Sequence, residues 1–391
     1  MLEQMRRPVI LGARDERVVA QPARSTRRPE GAARYPAVPE LTGRVVLPGS
    51  PVPPAEAWSG VRDGNRSVIL PDATVEIDGR AYAVSAKGVG ARPPLYGDSP
   101  LEFMFRSDYA ADPAGVGLAG ARQVTSEPWF GESPYGAQGE LPATYSLMIT
   151  GFSERCQING FFLCPVIEVN ELPASVSEEA GRRYWYRQYR GAFLQEQRLV
   201  PSNVRIYHES EFTLGTSPAL VLDALGVRTP ETADDFIENY IASGVAALTL
   251  YVRTLRKTPW GFRGLNYGDV YLDKDAVLAP DGRLHFVDLE GLDWVLGGAD
   301  VPVEERIREQ FNYNFYEFMY GLHLLLVARE RLAGRTLTQE ERRRTVAPRF
   351  EMALARDPFT RVETGADGMD VVVRPALGAG PDVPIRVLDW R

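Results

Sequence analysis

The feature that most constrains this chain is a turn. Asp281-Gly282 lies within the stretch DVYLDKDAVLAPDGRLHFVDLEG, residues 269–291, and an Asp-Gly pair favours the type I′ turn of a two-residue hairpin loop. The apolar run Ala276 to Ala279 precedes it and the alternating run Leu284 to Val287 follows, so a β-hairpin is predicted. With Asp281 and Gly282 as the loop, the register sets Asp275 opposite Asp288 and Asp273 opposite Glu290. Opposed residues share a face, as do residues two apart, so four carboxylates gather at the open end of the hairpin. Like charges at that spacing repel, and relief comes from a raised pKa, from nearby Lys or Arg, or from a bound cation. Two blander readings stand beside this one. The acidic end can simply face water, or a three-residue turn through Pro280 can slip the register by one and undo the pairing.

A chain of 391 residues has room for two packed bodies and a cleft between them. Its formal net charge of −8 argues against nucleic acid as the main partner. No apolar run approaches a membrane span, and the first residues lack the apolar core of a secretory signal, so a cytoplasmic protein that engages no membrane is expected. Cys156 and Cys164 with His208, His285 and His323 are too few for a Cys/His zinc cluster or a disulfide framework. Any chemistry falls to carboxylates and lysine.

Along the chain, residues 1–55 are rich in Arg and Pro without a sustained period, and read as an extended arm with one short strand at Arg44 to Leu47. A basic arm on an acidic protein is expected to fold back on its own body. Residues 56–173 read as a β-rich unit. In it the glycine-containing stretch GVRDG leads into a second hairpin, Ala73 to Ile77 and Arg80 to Lys87, joined by Asp78-Gly79. Counting from that turn, Lys87 shares a face with Ser85 and Ala83, while Tyr82, Val84 and Ala86 point the other way. The residues after it, Gly88-Val89-Gly90-Ala91-Arg92, allow close backbone approach and supply a further cation; the plain alternative is a solvated lysine at a strand end. Residues 91–140 read as an irregular insertion, followed by a helix from Glu140 to about Ser153, two apolar strands within 158–169, and a polar link to Pro173.

Residues 174–391 read as mainly helical around the acidic hairpin. Helices are predicted over 175–197, over 232–257 with Thr232 and Asp235 in the pattern of a capping box, and over 303–332. The last carries the stripe Phe311, Phe315, Phe318, Leu322 and Leu325 and is closed by Gly334, and a tail strand is expected at 371–374.

This order of elements, with AYAVSAKGVG around Lys87, thirteen residues from Asp275 to Asp288, and VDLEG at 287–291, resembles the protein-kinase-like superfamily. That superfamily spans protein kinases, small-molecule phosphotransferases and the selenoprotein-O-type AMP-transferring pseudokinases, whose KGxG segment is similar to AKGVGARPPLYGD here. The resemblance implies an α+β fold of two lobes, a small β-rich N-lobe and a larger helical C-lobe. It implies ATP and Mg²⁺ as cofactors, and transfer of a phosphoryl or AMP group to a protein or small-molecule acceptor. Lys87, with Gly88, Gly90 and Arg92, would hold phosphates, and Glu140, Glu132 or Glu102 would supply the acidic partner of Lys87. Asp275 and Asp288 would hold the metal, with Asp273 and Glu290 beside them. Asp269 would act on the acceptor, with Asn266 or Asp273 as substitutes; Asn266-Tyr267-Gly268-Asp269 stands where the family has His-Arg-Asp, and Asp275 where it has Asn. Two other functions remain open. One is a nucleotide-binding pseudokinase scaffold without activity; the other is an ATP-grasp-type carboxylate-amine ligase, whose metal-binding ExN strand VIEVNELP resembles.

Overall fold

The computed structural model describes residues 7–31, 34–48, 58–63, 67–89, 138–158, 160–174, 192–207, 212–255, 260–262, 272, 274–289, 292–294, 304–355, 360–364, 368–373 and 383–389. Strands and helices mix in an α+β arrangement. Its largest sheet among the described residues has eight strands, β1 (Glu16–Pro22), β2 (Thr26–Arg27), β3 (Arg44–Pro48), β4 (Trp58–Asp63), β5 (Ser67–Ile77), β6 (Arg80–Lys87), β9 (Val166–Glu171) and β10 (Leu194–Val200). Its order is β2-β9-β10-β6-β5-β4-β1-β3, antiparallel throughout. Helix α1 (Glu140–Phe152) and the short strands β7 (Gln157–Ile158) and β8 (Phe161–Leu163) intervene between β6 and β9.

The turn between β5 and β6 forms as predicted. Asp78 and Gly79 both take positive φ, 52° and 77°, and Ile77 pairs with Arg80, the geometry of a type I′ loop. Its register runs to Ser67 opposite Lys87. Tyr82, Val84 and Ala86 accordingly enter one apolar cluster, with Val68 and Leu70, while Ala83 packs on the other side with Ile69 and Val200.

Two expectations are corrected here. The arm does fold back on its own body, but as three strands rather than an extended run with one: β1 and β3 pair with each other at one edge of the sheet, and β2 pairs with β9 at the other. Val18, Tyr35, Leu41, Val45 and Val46 are buried, an apolar set too sparse among Arg and Pro to register as a period. The second correction concerns 194–200, whose first four residues fall at the end of a predicted helix. LQEQRLV is a strand, and all seven residues are buried. Its polar side chains looked like a solvated helix face, yet each has a partner. Gln195 accepts from the Val46 backbone N–H at 2.7 Å and donates to the Val46 carbonyl at 2.9 Å, so its amide serves β3 as another strand would. Gln197 donates to the carbonyls of Leu41 and Arg44. β10 also lies beyond the boundary expected at 173 while belonging to the same sheet. Residues 175–191, and the insertion as far as 137, lie outside the described residues.

After the sheet the chain forms helices α2 (Pro218–Ala224), α3 (Pro230–Leu255), α4 (Glu304–Leu332) and α5 (Gln339–Leu354). With them are strands β11 (Trp260–Phe262), β12 (Ala276–Leu278), β13 (Leu284–Phe286) and β14 (Leu292–Trp294), and a three-stranded sheet of β15 (Thr360–Thr364), β16 (Gly368–Val373) and β17 (Val383–Asp389). Helix α3 starts one cap earlier than the sequence suggested. The Thr229 hydroxyl accepts from the Thr232 N–H at 3.3 Å and the Thr232 hydroxyl accepts from the Thr229 N–H at 3.0 Å, a reciprocal cap with Pro230 as first helical residue. Helix α4 ends as predicted. Gly334 takes φ +67°, its N–H donates to the Arg331 carbonyl and that of Arg335 to Glu330, which closes a Schellman turn.

Helices α3 and α4 meet through Tyr240, whose ring stacks on Phe318 at 5.0 Å and whose hydroxyl donates to the Phe318 carbonyl at 2.9 Å. Contact this close requires glycine on both helices. A Cβ at Gly244 would collide with the Phe318 ring, and one at Gly321 with the Tyr240 hydroxyl. Gly244→Ala is therefore expected to lower unfolding stability by about 2 kcal/mol despite alanine's better helix propensity, read from urea denaturation midpoints.

Candidate functional site

The acidic hairpin forms, but with a different turn. Ala276 pairs with Phe286 and Leu278 with Leu284; the Ala279 N–H donates to the Arg283 carbonyl at 2.8 Å and the Gly282 N–H to Ala279 at 2.9 Å. Pro280-Asp281-Gly282 is thus a three-residue loop, which corrects the two-residue turn. Proline presets the first corner and denies it an N–H, and Gly282 closes the loop at φ +91°. Helix α3 locks this shape, since Asn239 donates to the Asp281 carbonyl at 2.9 Å and a Cβ at Gly282 would strike the backbone of Phe236. The register slips by one residue. Asp275 now faces Val287, whose N–H donates to the Asp275 carbonyl at 2.8 Å, and not Asp288. Asp273 and Glu290 lie outside the described residues, among which no group of three His, Cys, Asp or Glu side chains gathers to hold a metal.

What the hairpin presents instead is a carboxylate met by cations from the sheet. Lys87, at the end of β6, is buried, and its Nζ donates to Asp288 Oδ1 at 2.8 Å. Arg198, on β10, donates to the same oxygen at 3.1 Å, to the Val287 carbonyl at 2.6 Å and to Ser67 Oγ at 3.2 Å. Burial by itself would lower the pKa of the Arg198 guanidinium, but Asp288, Glu196 and Asp63 outweigh it and the pKa is raised. Arg205 makes the matching contact on the other strand of the hairpin. It forks onto both Asp63 oxygens at 3.1 and 3.0 Å and donates to the Lys274 carbonyl, next to the buried Asp275. The two arginines hold the open end of the hairpin from both sides; Arg198 comes from β10 of the sheet and Arg205 from the segment that follows it. Of the remedies for crowded carboxylates, nearby Lys and Arg are the one seen.

Gly88, also expected at the site, takes φ +99°. A Cβ there would sit 2.6 Å from the Leu194 carbonyl, so glycine lets the chain that enters α1 pair with β10 through Gln138 and Leu194. Gln138 Nε2 in turn donates to Glu196 Oε1 at 3.0 Å, and Glu196 stands opposite Lys87 in the register. Glu140 is not brought to Lys87. It is half-exposed and pairs with Arg27 at 2.5 Å, whose hydrogen bond lowers its pKa. Asp269, Asn266, Gly90, Arg92, Glu102 and Glu132 lie outside the described residues. The two residues that suggested a ligase strand are engaged by the arm. Glu168 accepts from Arg28 and from the Gly43 N–H, and Asn170 bonds Thr26 and the Arg44 carbonyl.

Sequence reasoning missed Arg198 and Arg205. The usable signal was the alternation of Glu196 and Arg198 with the two glutamines, a period of two hidden because none of the four is apolar. Removing Arg198 takes one buried donor from Asp288, the Val287 carbonyl and Ser67 Oγ, so Arg198→Met is expected to cost about 3 kcal/mol, measured by urea unfolding. His285 in β13 carries a separate pH dependence. Burial beside the Tyr82 and Phe162 rings pushes its pKa down to about 4 from 6.5. The folded state therefore refuses a proton that the unfolded chain accepts. Stability present above pH 6.5 should be lost as pH falls towards about 4, by about 3 kcal/mol, and His285→Phe should flatten the unfolding midpoints across that window. No family model, curated protein or solved structure matches this chain.

Proposed function

We propose that the chain is an ATP- and Mg²⁺-dependent transferase with the two-lobed organisation of the protein-kinase-like superfamily, moving a phosphoryl or AMP group to a protein or small-molecule acceptor. The observation that carries this reading is the contact of Lys87 with Asp288 across 201 positions of sequence. A strand-end lysine and the aspartate following a hairpin are the pair that the resemblance requires in one place. The order of a glycine-linked strand pair, lysine strand, helix, two strands, long helix, hairpin and long helix also agrees with it.

The donor set suits Mg²⁺, which takes oxygen ligands and is usually held by one or two carboxylates together with substrate phosphates rather than by an all-protein cage. Asp288, about a quarter exposed at its side chain, and Asp275 would supply those carboxylates. These carboxylates would hold an ion whose contribution, when bound, is to neutralise charge on the phosphate oxygens. Lys87 would turn its ammonium from Asp288 to a phosphate oxygen, while Arg198 keeps the carboxylate in place. Both cations act from a buried layer, where each is worth more than in water and needs no reorganisation as charge develops. Asp269 would orient or deprotonate the acceptor.

The test is incubation of the purified protein with Mg²⁺ and ATP labelled at the α or the γ phosphate, with cell extract as the source of acceptor. Label from γ should pass to acceptor in phosphoryl transfer and label from α in AMP transfer, and Asp288→Ala should lower either by at least about a hundredfold. If ATP binds but neither label moves, the scaffold reading replaces this one. If ATP does not bind, both fall.

A further inference from the structure

The arm that forms β2 goes on to contact both ends of helix α1. At the near end, Arg24 and Ser25 hold Glu171 of β9, at 3.2 and 2.7 Å, and Thr26 and Arg27 pair with Asn170 and Val169. Arg27 then reaches Glu140, the first residue of α1, at 2.5 Å. Arg28 donates through two nitrogens to the buried carboxylate of Glu168, at 3.2 and 3.1 Å. Further on, Glu30 lies against Gly151, where a Cβ would be 3.3 Å from the Glu30 carbonyl. Tyr35 ends the run, its hydroxyl 2.5 Å from Ser153 Oγ at the C-terminal cap of α1. The arm therefore touches the first and last turns of one helix and ties both to one strand.

What α1 does with that restraint follows from its start. Gln138, two residues before the helix, pairs with Leu194 and donates to Glu196, the residue opposite Lys87, and Gly88 is packed against the same two backbones. A shift of the first turn of α1 moves Gln138, and with it the surroundings of Lys87.

We propose that arm residues 24–31 and 34–35 form a strap that fixes the position of α1 and thereby positions Lys87. The strap itself is independent of the assigned chemistry; its effect on nucleotide binding rests on the transferase reading. Arg27 and Tyr35 are positioning residues, since neither contacts Lys87. An exposed ion pair contributes little alone, so both ends of the strap must be loosened together.

The experiment compares full-length protein with Arg27→Glu/Tyr35→Phe and with the conservative Arg27→Lys, using peptide-resolved hydrogen exchange and the Kd for a fluorescent ATP analogue. Ser153 keeps its bond to the Thr150 carbonyl in Tyr35→Phe, so the end of the helix remains capped. The double variant should exchange residues 140–152 at least tenfold faster, with α3 and α4 unchanged and the analogue bound several-fold more weakly. Arg27→Lys should stay within twofold of the parent in both. Unchanged exchange in α1, or a rise shared equally by every helix, overturns the strap. A looser α1 with unaltered nucleotide affinity overturns its link to Lys87. If the parent protein binds no analogue, the transferase reading falls, and the exchange data alone decide whether the strap stands.

Discussion

One oxygen of Asp288 accepts from both Lys87 and Arg198, and that shared contact joins two strands of the sheet to the hairpin beside the pairing of β13 with β8. Taking a charged group out of water costs several kcal/mol even after relaxation, so a layer that buries Lys87, Arg198, Arg205, Asp63 and Asp275 persists only if its geometry is satisfied. Arginine supplies that geometry. Its fork lets Arg198 reach a carboxylate, a carbonyl and a hydroxyl at once, and lets Arg205 take both oxygens of Asp63 and still donate to Lys274. Around the charges sits a small apolar set, Ile69, Ala83, Val200, Val277 and Val287, that keeps water from the edges of the layer.

Fixing the charges in this way also fixes the register that the hairpin must keep. The Val287 and Lys274 carbonyls are two acceptors at its open end, one held by Arg198 of the sheet and the other by Arg205 in the segment that follows it. The turn at the closed end is held by helix α3 through Asn239 and Phe236. The hairpin is thus held at both ends, and between them β13 also pairs in parallel with β8 and the Leu278 N–H donates to the Val204 carbonyl.

Much of this was legible where local chemistry dictates local shape. Asp78-Gly79 announced its turn, the spacing of Phe315, Phe318, Leu322 and Leu325 announced α4, and Gly334 announced the end of that helix. The Pro280 turn shows the limit. Asp-Gly alone favours two loop residues, but a proline before it offers a three-residue loop of comparable quality, and only packing against α3 selects between them. β10 was illegible for a different reason. Burial was inferred from apolar residues, and Gln195, Glu196, Gln197 and Arg198 make their buried hydrogen bonds to segments 58 to 156 positions away, as the 149 positions between Gln195 and Val46 illustrate. The arm suffered from its composition, since Arg and Pro masked the short alternation of β1. Of the site, Lys87 was found because its turn fixed its strand, and Asp288 through the resemblance of VDLEG although the turn before it was misassigned; the arginines were missed because their strand and the segment after it carry no apolar period.

The bonds between Gln195 and Val46 have a consequence for how the chain is made. A polypeptide leaves the ribosome from its N-terminus at about 5–20 residues per second, so β3 waits for β10 for roughly 7–30 s, the time needed to synthesise the 149 residues between them. During that interval β1 and β3 can pair with each other, but one edge of β3 and the apolar side of the arm have no cover. Such an edge is a template for pairing with another nascent chain. The arginines and prolines that gave the arm its look of an extended run are residue types that discourage edge-to-edge association, which suits strands that wait for β9 and β10, the last two of their sheet to be translated.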